Sequence, residues 1–192
     1  MEEQRKRVEK FLSENYTGEF RVSRKTNQEG KFEVSAKGSI KAISTIKNLA
    51  TDDFVFTKVG KFYCVECDAL QTLEGAPREA DEFYCSYCPS LRTLKGAPEK
   101  VREFYCYTCK SLQTLEGAPR EVEIFNCDNC ESLQSLEGAP QEAGEFYCSN
   151  CFSLRTLKGA PKKVSFFECI NCLSLESLDV DIKNFINFSI EK

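Results

Sequence analysis

The chain contains no histidine, no tryptophan and a single methionine. Without histidine there can be no Ser–His–Asp or Cys–His constellation, and no zinc site can draw on imidazole. Catalysis would have to run through lysines or carboxylates, and nothing in the sequence groups them, so the chain is not expected to be an enzyme. No stretch approaches the ~20 apolar residues that span a bilayer, so no membrane is expected. The opening residues, Met1 to Lys10, are charged throughout and do not read as a secretion signal. The expectation is therefore a cytoplasmic protein with reduced thiols. Basic residues do not dominate either: 26 Lys and Arg stand against 30 Asp and Glu. That balance argues against nucleic acid, whose phosphates call for a basic surface.

What the chain has instead is repetition. A phrase of the form Phe-Tyr-Cys-x-x-Cys-x-Ser-Leu-x-Thr-Leu recurs six times with small variations at a period of 21 residues, beginning at Phe62, Phe83, Phe104, Phe125, Phe146 and Phe167, and Gly-Ala-Pro closes the first five copies. Cysteines follow at Cys64, Cys85, Cys106, Cys127, Cys148 and Cys169, and again three residues later at Cys67, Cys88, Cys109, Cys130, Cys151 and Cys172. Two leucine columns run from Leu70 to Leu175 and from Leu73 to Leu178. The register never slips. A fixed period of this length means stacked units, each one turn of chain.

In the copy that begins at Val101, Phe104 and Cys106 alternate with Tyr105, which predicts a short strand over 104–107 with Phe104 and Cys106 inward. Cys109 marks the turn, and Leu112 and Leu115 return along the core. Gly117-Ala118-Pro119 then keeps the return arc irregular or extended, because proline resists helix interiors and central strands. Val101, Phe104, Cys106 and Cys109 stand at the apolar and Asn/Cys places of a leucine-rich repeat, and the segment 59–178 resembles that family. The short period and the Gly-Ala-Pro segment look like the compact repeats of bacterial and bacteriophage proteins. The resemblance implies an α/β leucine-rich-repeat solenoid with a parallel sheet on its concave face. It also implies a virus-encoded protein acting in host cytoplasm on a host protein.

Residues 1–58 read as an N-terminal cap. A helix is expected over 2–14, with Val8, Phe11 and Leu12 as its apolar stripe and acidic residues preceding basic ones along the dipole. A hairpin is expected from 19–25 and 31–37, followed by a degenerate repeat over 38–58. Such a cap would seal the open end of a solenoid. Residues 179–192 read as a C-terminal cap of one or two closing strands, with Val180 and Ile182 continuing the core. Residues 1–58 carry 12 Lys and Arg against 9 Asp and Glu, so the net acidity lies on the repeats.

Six Cys-x-x-Cys pairs suggest zinc at first sight, since two such pairs can supply four thiolates. Each cysteine, however, falls where the repeat buries a residue, and free cysteine packs well as a small apolar group. The reading is therefore core filler, with no metal and no cofactor. Metal binding or thiol redox chemistry is the competing reading.

Outward strand positions are free of packing demands, so their contents are informative. The residue between Phe and the first Cys is Tyr63, Tyr84, Tyr105, Asn126, Tyr147 and Glu168, with Tyr87 and Tyr107 close by. Glu82, Glu103 and Glu145 precede the Phe column. Rigid amphipathic tyrosines are favoured anchors for protein partners, and acidic flanks favour a basic one. The expected function is non-enzymatic protein binding through this face. Two alternatives stay open: tyrosines kept only because they suit strands, and a self-associating structural module of unspecified oligomeric state. The opposite arc, with Glu74, Lys95, Glu116, Glu137 and Lys158 in one column and Gln71, Arg92, Gln113, Gln134, Arg155 and Glu176 in another, reads as a solvated face.

Overall fold

A computed structural model describes residues 1–177 and 185–191. Leu178, Val180 and Ile182 lie outside the described residues. Helix α1 (Glu2–Asn15) leads into β1 (Tyr16–Thr17), β2 (Arg21–Thr26), β3 (Phe32–Ala42) and β4 (Phe54–Tyr63). The repeats then supply β5 (Glu79–Tyr84), β6 (Lys100–Tyr105), β7 (Glu121–Asn126), β8 (Glu142–Tyr147) and β9 (Lys163–Ile170), and β10 (Phe185–Glu191) follows. All the strands belong to one sheet in the order β1-β3-β4-β5-β6-β7-β8-β9-β10, with β2 paired to β3.

From β3 to β10 every pairing is parallel. The ladder sets each residue on its counterpart one repeat later: Phe83 on Phe104, Tyr84 on Tyr105, Phe146 on Phe167. The chain is thus a parallel-sheet solenoid with one N-terminal helix. The return arcs between strands are turns and contain no helix, so α1 supplies the helical content of the described residues. The buried prolines Pro77, Pro98, Pro119, Pro140 and Pro161 account for this, since each removes an N–H donor and resists helical continuation.

The inward columns form one continuous core. Phe62, Phe83, Phe104, Phe125, Phe146 and Phe167 stack with ring centroids 5.3 to 5.5 Å apart and nearly parallel planes. Phe104, Cys106, Leu112 and Leu115 are fully buried, whereas Tyr105 is half-buried, so the expected facing of the repeat holds. The strand itself begins earlier than alternation suggests, at Lys100 rather than Phe104, and ends at Tyr105.

The cap follows from its own residues. The hairpin forms between β2 and β3, which pair antiparallel with Val22 opposite Val34. The other edge of β3 pairs parallel with β4, which spans both sides of the expected 58/59 boundary. Val8 and Leu12 of α1 are buried, while Phe11 sits at the rim with its ring 5.9 Å from that of Phe54. The first turn of α1 is acidic, but its last turn carries no basic residue. Arg5 and Lys10 are instead paired with Glu9 and Glu14 one turn on. The expected fit of the whole helix to its dipole is thereby halved.

One tight spot recurs in all six repeats and a second in the first five. The second residue between each cysteine pair has a left-handed backbone: Glu66, Tyr87, Thr108, Asn129, Asn150 and Asn171 all have φ between 56 and 59°. This bend ends the strand and turns the second cysteine inward. Asparagine tolerates the conformation, whereas β-branched Thr108 is strained there. Gly117 has φ 93°, and a Cβ on it would lie 2.6 Å from backbone atoms of Leu94 and Lys95 in the preceding turn. Glycine is needed there for both conformation and space. Substituting Gly117→Ala should cost about 2 kcal/mol or more, and Thr108→Asn should stabilise the fold by up to about 1 kcal/mol. Urea denaturation of both variants checks this. A neutral Gly117→Ala would mean that the turns are not packed backbone to backbone.

Candidate binding face

The outward face of the sheet is built by the same superposition that builds the core. Tyr63, Tyr84 and Tyr105 lie side by side on β4, β5 and β6. Their rings stack with centroids 4.6 and 4.7 Å apart and planes within 10° of parallel. Asn126 then interrupts the column, and Tyr147 resumes it with Phe166 tilted against its ring at 5.5 Å. Tyr87 and Tyr107 stand at the turn beyond the strand ends and meet edge to face at 5.3 Å; Tyr87 is exposed.

The three glutamates are held against the tyrosines. Tyr84 Oη donates to Glu82 Oε2 at 2.8 Å, Tyr105 Oη to Glu103 Oε2 at 2.9 Å and Tyr147 Oη to Glu145 Oε2 at 2.7 Å. Each pair lies two residues apart on one strand, where side chains share a face. The bonds lock the rings upright. Burial, reinforced by the neighbouring carboxylate, raises the pKa of Tyr84 and Tyr105, and that of Tyr147 to about 12. These hydroxyls therefore stay protonated and keep donating.

Glu82 is itself buried, at 8% exposure. Lys61 Nζ approaches it to 2.8 Å and Arg102 to 3.4 Å. The same guanidinium contacts Glu103 and lies 3.2 Å from Glu123. The acidic flank expected from Glu82 and Glu103 is thus largely neutralised over β4 to β6. Lys61 and Arg102 were missed as members of this face. Their signal was present in the columns, where each basic residue stands one period from an acidic one.

Farther along, a different network occupies the face. Asn126 Oδ1 accepts the Asp128 N–H at 2.9 Å, and Asp128 Oδ1 accepts the Ser149 N–H at 2.6 Å. Ser149 Oγ in turn donates to Glu168 at 3.2 Å. Burial raises the pKa of Asp128.

An open groove of ≈ 1130 Å³ crosses the sheet at the strand starts, away from the tyrosines. Its charged column alternates in part, and Lys100–Glu79 and Lys163–Glu142 are paired at 3.2 and 2.6 Å. Such exposed pairs contribute little and leave the groove without a strong field of one sign. On the return arc, Lys95–Glu116 and Lys158–Glu137 pair in the same way at 3.4 and 2.7 Å.

All twelve cysteines are free and buried. The second cysteine of each later repeat donates its S–H to the carbonyl of the first cysteine one turn back: Cys88 to Cys64 at 3.0 Å, Cys109 to Cys85 at 3.1 Å, Cys130 to Cys106 at 3.3 Å, Cys151 to Cys127 at 3.4 Å and Cys172 to Cys148 at 3.2 Å. The thiols thus cross-link turns by hydrogen bonds as well as filling space. Burial pushes Cys64, Cys85, Cys106, Cys127 and Cys148 well above the ordinary thiol value, which disfavours the reactive thiolate. Among the described residues no group of three or more Cys, Asp or Glu is placed to hold a metal ion. Among the described residues no helix is long and apolar enough to cross a membrane.

Comparison of the chain with protein-family models, with curated proteins and with solved structures finds no match.

The ion pair at Glu82 makes stability pH-dependent. Hydrogen bonding from Lys61 holds the Glu82 carboxyl below its ordinary value of 4.5. A carboxyl depressed by folding stabilises the native state fully above its unfolded pKa and loses that contribution as pH falls through the folded value. Glu82→Gln should therefore destabilise the protein at neutral pH, and its deficit relative to wild type should close as the pH falls below 4.5. Denaturant titrations of both proteins across that range check it. A deficit that stays constant in acid would show that the Lys61 pair carries no linkage.

Proposed function

We propose that this chain is a leucine-rich-repeat-type solenoid that binds another protein through its tyrosine-bearing sheet and performs no catalysis. The observation that carries this reading is the stacked, upright set Tyr63, Tyr84 and Tyr105, whose hydroxyl ends are tied down at Tyr84 and Tyr105. Side chains already ordered in the free protein lose little rotamer freedom on binding, which leaves more of the contact energy as affinity. Tyrosine is also among the residues most often found as an interface anchor. The resemblance to compact bacterial and bacteriophage repeats extends the proposal to a virus-encoded protein working on a host protein in the host cytoplasm.

Affinity capture from bacterial lysate, followed by titration of the captured protein, tests the reading. Replacing Tyr84 and Tyr105 with Ala should weaken binding by about 2 kcal/mol or more. The fold should lose about 1 to 3 kcal/mol, from two ring contacts and two hydroxyl bonds. Thermal melts of the same variant separate the two effects. Replacing Arg92 and Lys95 on the return arc should change neither. Normal binding by the tyrosine variant with loss in the Arg92/Lys95 variant would move the functional surface to the return arc.

A further inference from the structure

The tyrosine column is broken once between two tyrosines, and the break has a definite shape. Tyr105 stacks on Tyr84 with planes 8° from parallel, so the stack axis runs across the strands. The other face of Tyr105 is turned toward β7, where Asn126 is its ladder partner. Tyr147 is the partner of Asn126 on the far side. Its hydroxyl bond to Glu145 repeats the bond from Tyr105 to Glu103. Asn126 brings no ring to the position between them. Its Oδ1 accepts the Asp128 N–H and its Nδ2 donates to Asp128 Oδ2 at 3.2 Å, so the amide lies along its own strand. Two ladder steps separate Tyr105 from Tyr147, roughly 9.5 Å. That is twice the spacing of the rings already stacked here, and it leaves room for one planar group.

The rim of this slot selects among planar groups. Ile124 lies at one end and Asp128 at the other, with Glu103 and Glu145 flanking Ile124. On β4 to β6 the carboxylates are neutralised by Lys61 and Arg102. Beyond the slot, among the described residues, no Lys or Arg lies within ion-pair distance of Asp128, Glu145 or Glu168. A neutral aromatic ring would desolvate these carboxylates without compensation. An ammonium is compact and strongly hydrated, and it cannot lie flat between two rings. A guanidinium is planar, cationic, and attracted to tyrosine faces while donating in its own plane.

We propose that the slot between Tyr105 and Tyr147, floored by Asn126, receives the guanidinium of an arginine side chain from a protein partner, sandwiched between the two rings and paired with Glu145. The proposal rests on the reading of this sheet as a protein-binding face and names the chemistry of its partner.

The test is an NMR titration of the full chain with N-acetyl-arginine amide, run beside N-acetyl-lysine amide and N-acetyl-tyrosine amide. The arginine compound should shift the backbone amides of Tyr105, Asn126 and Tyr147. It should bind about ten-fold more tightly than the lysine compound. Asn126→Tyr installs the residue that four of the six repeats carry at this position. It should keep the melting temperature and abolish the shifts. Glu145→Gln should keep the fold and weaken arginine uptake about five-fold. Uptake of none of the three compounds, tighter uptake of the tyrosine compound, equal uptake of lysine, or unchanged arginine binding by Asn126→Tyr would each overturn the slot. Titration with the captured protein partner separates this failure from that of the broader reading. If the Tyr84/Tyr105 variant loses the partner while Asn126→Tyr keeps it, the slot is wrong and the face stands. If both variants keep the partner, the face itself is wrong.

Discussion

Each residue of the array is bound to lie over its counterpart in the next turn, and the rest of the structure depends on that superposition. Parallel pairing enforces it: Phe62 sits on Phe83, and Phe83 on Phe104. An inward residue must therefore pack against copies of itself, which phenylalanine, leucine and cysteine all do. The cysteines meet a second demand. They occupy the tight bend after each strand, and the second of each pair gives a donor to a carbonyl one turn back. A purely apolar side chain of similar size would fill the same space and leave that donor out.

The same rule creates difficulties on the outward face, because like charges also fall on like. Glu82 lies directly opposite Glu103, and Glu121 opposite Glu142. Like charges directly opposite destabilise a sheet. The first conflict is relieved by Arg102, which reaches both Glu82 and Glu103, and by the tyrosine hydroxyls that donate to them. The second is relieved on one side by Lys163. Variation between repeats is therefore where this chain departs from plain duplication. The departures on β7 to β9, among them Ile124, Asn126 and Phe166, give the sheet two unlike halves.

Much of this was legible in the sequence. The unbroken period identified the inward phenylalanine, cysteine and leucine columns but not the buried proline column, and the alternating runs 19–25 and 31–37 placed the hairpin. Strand onset was harder to read, because Val101 and Phe104 are three apart and the residues between them are Arg102 and Glu103, so two-residue alternation starts only at Phe104. The role of β3 was hidden for a related reason. Its pairing with β4 sets Phe32 on Phe54 and then shifts register, so the period that marks the array is absent there. On the candidate face, the tyrosines and glutamates could be named, but not their pairing. Hydroxyl-to-carboxylate bonds along one strand depend on side-chain posture, which neighbouring rings dictate. The left-handed bend could have been suspected from Asn129, Asn150 and Asn171, but Glu66, Tyr87 and Thr108 disguise it.

Removal of one whole turn tests the governing superposition most directly. Excising residues 104–124 joins Glu103 to Phe125 and advances every later column by one repeat of 21 residues. Excising 104–123 removes one residue fewer and throws each later column out of line. The account predicts a cooperative melt and native-like β signal for the first protein, with a moderately lower melting temperature, and an unfolded or aggregated second protein. Equal stability of the two, or failure of the in-register deletion alone, would contradict it.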